Sequence, residues 1–188
     1  MHLHCTLLLL CGLAASARAE PVVYALDPTH SFVNFEVKHF GTSTIRGRFG
    51  PVNGSVTLDR AAGRGQVGLA IDTASVSTGL RVFDARIREG DLLDSTAFAQ
   101  ARFVAEQFRF EGERLAEVRG EFTLRGVSQP LSLRALHFAC EQRAALQREV
   151  CGGDFEAEIE RSAFGASFGL PFVADKVRLL VQVEGIRQ

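Results

Sequence analysis

SFVNFEVKH, residues 31–39, places Ser31, Val33, Phe35, Val37 and His39 on one side of an extended chain and Phe32, Asn34, Glu36 and Lys38 on the other. Successive side chains of a strand point to opposite faces, so this period of two predicts a β-strand with one mostly apolar face. FGTS then supplies a turn, and Ile45, Gly47 and Phe49 alternate with Arg46 and Arg48 in a returning strand. The apolar face of the hairpin ends in a histidine. The other face is largely charged or polar.

The same alternation continues outward from the hairpin. Val52, Gly54, Val56 and Leu58 interleave with polar residues, and Val67, Leu69 and Ile71 follow after the turn AAGRG. Strands resume at ARFVAEQFRFEG from Ala101. Ala116, Val118, Gly120, Phe122 and Leu124 then alternate with Glu117, Arg119, Glu121, Thr123 and Arg125. Leu131, Leu133 and Ala135 lie beyond Gly126–Pro130, and His137 falls on their face by strict alternation. Phe155, Ala157 and Ile159, then Val177, Leu179, Val181 and Val183, complete about eight strands. Residues 73–100 break the pattern. There Phe83 and Ile87 stand four apart, as on one face of a helix, and one or two short helices are expected.

One apolar and one charged face on every strand require a shared interior and a wet exterior. The expected fold is all-β: a soluble eight-stranded antiparallel barrel, which also leaves no exposed sheet edge. A membrane-spanning barrel needs the reverse polarity, with aromatic girdles. This chain has no Trp and one Tyr.

Of the 188 residues, the first 19 read as a cleaved secretory leader: the apolar run LLLLCGLAASA ends in Ala17-Arg18-Ala19. Leu10 before Cys11 argues against lipoprotein processing. Residues 20–188 then form one domain, expected in the periplasm. Losing Arg18 from the 21 basic residues leaves them slightly outnumbered by 22 acidic ones, which excludes a nucleic-acid surface. Cys140 and Cys151, with ten residues between them, are expected to form a disulfide in an exported chain.

Candidate functional residues are few. Asp27, His30 and His39 could ligate a metal, but their spacing matches no strong metal motif, and none is expected. No nucleophile motif is present, so no catalytic residue is assigned. His39 reads either as a histidine bonded to backbone or as a polar group at a cavity mouth. Arg161, on the face of Phe155, Ala157 and Ile159, either escapes to solvent or points inward and needs a polar or anionic partner. The 15 Phe either fill the core or line a tunnel. Small residues on the inward face (Gly47, Gly54, Ala101, Gly120, Ala135, Ala157) lean towards a tunnel. On that reading a bulky change such as Gly120→Trp blocks the interior without unfolding it.

Tyr24, Asp27, His30, Ser31, Phe35, His39, Gly41, Gly47 and Phe49 resemble the opening motif of the YceI-like family. FDARIREGDLLD resembles the family's segment after the central strands, with Asp84, Asp91 and Asp94 matching. Phe83 stands where the family has an arginine, and Arg86 where it has a histidine. GEFTLRGVSQP and ERSAFG, the latter at Arg161, Ser162, Phe164 and Gly165, resemble two further family motifs. The resemblance implies a lipocalin-like barrel with an internal tunnel, exported to the periplasm, that holds a polyisoprenoid or another amphiphile with a long apolar tail. It makes His39, Phe35, Phe49, Asp84, Arg86, Phe122, Arg161 and Phe164 candidate ligand contacts. The expected partner is a long-chain lipid such as an isoprenoid quinone, with no other cofactor. Transient membrane contact and a homodimer stay open, several family members being dimers. Two other functions compete: an enzyme acting on such a lipid through His39 and Asp84, and a ligand-free stress or interaction protein.

Overall fold

The computed structural model describes residues 20–188; the expected leader lies outside the described residues. Ten strand segments form one antiparallel sheet: β1 (Val22–Leu26), β2 (Phe32–His39), β3 (Ser43–Phe49), β4 (Val52–Asp59), β5 (Arg64–Asp72), β6 (Gln100–Glu111), β7 (Arg114–Leu124), β8 (Val127–Arg143), β9 (Arg148–Glu160) and β10 (Val173–Arg187). β1 and β2 lie end to end along the same edge of β10, interrupted by the turn at Asp27–His30. β3 and β4 likewise continue one line, broken at Gly50-Pro51, where proline has no N–H to give the ladder. Ten segments therefore make eight staves, and the β1–β10 pairing closes them into the expected barrel.

Inside and outside follow the alternation. Val33, Phe35, Phe103, Phe122, Phe155, Leu179 and Val181 are buried in one core. Outside, Glu36 accepts from Arg46 and Arg178, and Glu156 from Arg178 and Arg134. Hydrogen bonds from Arg119, Ser132 and Arg109 hold the Glu117 carboxyl down to about 2. A surface laced with such pairs faces water, not acyl chains.

One local shift of register corrects the sequence reading. A bulge between Ala135 and His137 on β8 changes the parity of the strand. His137 is thereby exposed, not on the inner face of Leu133 and Ala135, and Phe138 packs against the core in its place. A second bulge, between Ala105 and Gln107 on β6, lets Phe108 and Phe110 follow Phe103 inward.

The two barrel ends differ. At one end Tyr24, Leu58 and Cys151 form a small second cluster, and the Tyr24 hydroxyl donates to Glu149 at 3.1 Å. The expected disulfide joins Cys140 and Cys151 directly across β8 and β9, with an S–S distance of 2.01 Å. In the chain-entropy picture a loop this short adds about 2–3 kcal/mol. Reduction with dithiothreitol should therefore lower the unfolding free energy obtained from urea titration by that amount without changing ligand occupancy, since the bond sits at the end away from residues 73–99. A loss of bound ligand on reduction would contradict this placement.

At the other end β3 no longer pairs with β5. A single bridge instead ties β3 to the segment that follows β5, with Arg48 and Ser77 exchanging N–H···O bonds of 2.8 Å. Residues 73–99 cross this end with a 3-10 turn (Thr73–Ser75), capped by Asp72 accepting from the Ala74 N–H, and the helix α1 (Arg81–Ile87). They stand where one or two short helices are expected.

Candidate ligand cavity

An apolar cavity of about 290 Å³ lies inside the barrel beneath α1. Its walls come from both halves of the first hairpin. Phe35 on β2 and Phe49 on β3 are tilted neighbours at 5.4 Å. Gly47 lies between them in the chain order of the inner face, and any Cβ there would come within 2.4 Å of the Phe35 ring. The glycine thus makes room for the aromatic that shapes the wall. Ala101 and Phe122 line the side opposite, while Phe83 and Ile87 of α1 and Leu92 and Leu93 after it form the roof.

A second, smaller hollow of about 70 Å³ lies toward the disulfide end. Phe103 and Phe122 are cross-strand partners, with Phe122 facing the larger cavity and Phe103 the smaller one. The two rings therefore form part of the floor between the chambers. A larger hollow, about 880 Å³, is on the outer face around Gln66, Glu106, Arg119 and Glu121. It is open to solvent and lined by polar and apolar groups alike, and none of the candidate contacts reaches it.

The polar groups of the inner cavity gather at its mouth. Arg86 projects from α1 and lies 4.1 Å over the Phe168 ring, bridging the helix to the loop before β10. Its guanidinium donates to both oxygens of Asp91 at 2.6 and 2.7 Å and to Glu89 at 2.8 Å. The Asp91 hydrogen bonds raise the Arg86 pKa, and the same bonds lower that of Asp91. His39 closes β2 at the mouth and meets Phe40 edge-on at 4.6 Å.

Arg161 is buried and also lines the cavity. Its donors, however, turn to backbone: Nε to Ala174 at 2.9 Å, Nη1 to Ala166 at 2.6 Å and Phe168 at 2.9 Å, and Nη2 to Val173 at 2.8 Å. Burial lowers its pKa, opposed by nearby Asp175. The cation thus holds the β9–β10 connection in shape, and its partners are carbonyls rather than a carboxylate. The rest of the ERSAFG motif serves the same connection. Ser162 gives its N–H and hydroxyl to Asp175, Phe164 packs edge-on against Phe122 at 5.5 Å, and Gly165 ends the turn at φ +79°.

Of the eight candidate contacts, His39, Phe35, Phe49, Arg86, Phe122 and Arg161 line one cavity. Phe164 stands behind Phe122, outside the lining. Asp84 is turned away from the cavity and accepts the Thr78 N–H at 2.6 Å and hydroxyl at 2.7 Å. These bonds hold its pKa low and fix the turn entering α1. Sequence reasoning missed Phe168, which lies in a connection with no periodicity, and did not include Phe83, although its helical spacing with Ile87 marked the roof. His30 is on the outside, paired with Asp27 at 2.7 Å and remote from His39 in role. Gly120 is not a site for blocking the cavity. A Cβ there would meet the Val104 carbonyl at 2.1 Å, so a side chain disrupts strand pairing before it fills space.

Comparison with known proteins fits this geometry. The sequence profile described as YceI-like domain matches residues 24–185. A UPF0312 protein of Pseudomonas aeruginosa is 31% identical over 186 aligned positions, covering 94% of this chain and 93% of its own. Protein YceI of Shigella flexneri is 30% identical, covering 93% and 91%. Among solved structures, BcnA of Burkholderia cenocepacia superposes with a TM-score of 0.70 at 23% identity, over 85% of this chain and 98% of that one. A polyisoprenoid-binding domain from Saccharophagus degradans gives 0.60 at 19% identity, over 88% and 98%.

Proposed function

Because the chain belongs to the YceI-like family, we propose that it is a periplasmic carrier that holds the apolar tail of an amphiphile inside its barrel and performs no covalent chemistry on it. The observation that carries this reading is the apolar cavity inside the barrel with its few polar groups gathered at one end. Such a site takes its affinity from the tail and its orientation from the mouth. Ten methylene-sized groups moved out of water contribute roughly 8 kcal/mol at about 0.8 kcal/mol each, enough for about micromolar binding before ordering costs. A longer polyisoprenoid would extend past the Phe103–Phe122 floor toward the smaller hollow. The disulfide suits an oxidising compartment.

The mouth favours an uncharged head. Arg86 already faces two carboxylates, and four Arg161 hydrogen bonds are spent on carbonyls. An anionic head would have to displace one of these sets, whereas an alcohol or quinone oxygen need only accept or share a bond. Native mass spectrometry of the protein purified from the periplasm, followed by organic extraction, tests both points. The expected result is a stoichiometric extractable lipid, and preference for an isoprenoid alcohol or quinone over the corresponding phosphate by tenfold or more. A bare mass that stays bare after addition of isoprenoid quinone would refute the carrier reading.

A further inference from the structure

Among the described residues, the three exposed phenylalanines, Phe40, Phe168 and Phe172, all stand around the cavity mouth. Phe168 lines the mouth itself, Phe40 follows His39, and Phe172 precedes Val173. Phe40 and Phe172 stack at 5.3 Å, and the Phe40 N–H donates to the Phe172 carbonyl at 2.6 Å, so two loops present one aromatic platform. Leu80 and Val82, at the start of the roof helix, are 58% and 72% exposed and extend the apolar rim. Phe40 also has φ +50°, a backbone conformation that non-glycine residues adopt only at a cost. The opposite end of the barrel is built differently: there Arg60 and Arg187 pair with Glu149, and Arg143 pairs with Glu184.

We propose that this rim is a docking surface for a lipid bilayer, through which the barrel loads and releases its cargo. The proposal rests on the carrier reading above. A contiguous exposed apolar patch is a mark of an interaction surface, and aromatic side chains gain by entering the boundary between head groups and acyl chains. The rim is continuous with the apolar cavity, so a lipid tail passes from the acyl layer into the barrel without crossing water. Charge plays little part. Arg86 is matched by Glu89 and Asp91, leaving Lys38 and Arg81 as exposed cations beside the patch. Docking is therefore expected on zwitterionic lipid and at high salt.

Flotation of the full protein with phosphatidylcholine vesicles, at low and high salt, tests the proposal. The wild type should float in both. The double variant F40N/F172S should lose vesicle binding at least tenfold, while taking up lipid delivered from detergent as the wild type does, because neither side chain lines the cavity. Asparagine accepts the left-handed conformation at position 40, so the turn is retained. Wild-type protein that stays in the aqueous fraction, or a variant that floats equally well, overturns the proposal. So does a dimer that the two substitutions dissociate and that never binds vesicles, since the rim then belongs to a second copy. Uptake from detergent without flotation removes docking but leaves the carrier; loss of both removes the carrier as well.

Discussion

Replacing Arg161 with methionine is expected to destabilise the protein by about 3–5 kcal/mol, because several hydrogen bonds from one buried cation are lost together. The site is buried, and the change strands the carbonyls of Ala166, Phe168, Val173 and Ala174 at once. Each bond to a charged group is worth roughly 1.5–3 kcal/mol when lost, but the connection can open to water and recover part of that. Against a total stability of about 5–15 kcal/mol, this is a large fraction. Lysine keeps the charge but gathers three donors at one point, and cannot fan out to carbonyls on both sides as the planar guanidinium does. Arg161→Lys should therefore fall between the two, at a loss of about 2 kcal/mol by the same reasoning. Urea unfolding of the three proteins measures the order. If Arg161→Met unfolds within about 1 kcal/mol of wild type yet binds lipid tenfold more weakly, the arginine serves the ligand and not the connection.

Filling the cavity should abolish binding with little change in the fold. Ala101 is the position for this. It lies on β6 opposite Ile71 of β5, is buried, and faces the cavity beside Phe122. Its Cβ already points into empty volume, so Ala101→Phe extends a ring into space the tail would occupy. Overpacking in a filled core costs about 1–3 kcal/mol; here burial of the ring offsets part of that. Lipid affinity should fall by a hundredfold or more, about 2.7 kcal/mol, with circular dichroism and thermal midpoint close to wild type. Undiminished lipid uptake by a folded Ala101→Phe protein would place the tail elsewhere. Gly120 cannot serve this purpose, because its neighbour is the backbone of Val104 rather than the cavity.

Both experiments turn on differences that local pattern does not record. The structure buries both Arg161 and Ala101, whereas the sequence puts Ala101 on the inner face and leaves Arg161 either escaping to solvent or pointing inward. The sequence does not distinguish the one whose donors find backbone partners from the one that faces open space. Backbone carbonyls of residues 166–174 carry no signature in the side-chain order, and nothing at Arg161 announces their arrival. The sequence does contain one signal left unused. Leu131, Leu133 and Ala135 give way to Phe138 and Cys140, and Ala101, Phe103 and Ala105 give way to Phe108 and Phe110. Each is a jump in phase, and the structure has a bulge at each jump.

By itself, then, the sequence determined the barrel, its inner and outer faces, the helical crossing at residues 73–100 and the cysteine pair. All of these follow from period-two burial, from its interruption, or from spacing along the chain. The tertiary structure alone decided which aromatics enclose space and which fill it. It divided the interior at Phe103 and Phe122, turned His137 outward, spent the charge of Arg161 on the loop, and brought Phe40 to Phe172. The reason is physical. Alternation fixes the side of a strand on which a residue lies, whereas a cavity or a rim is the sum of distances between strands far apart in the chain.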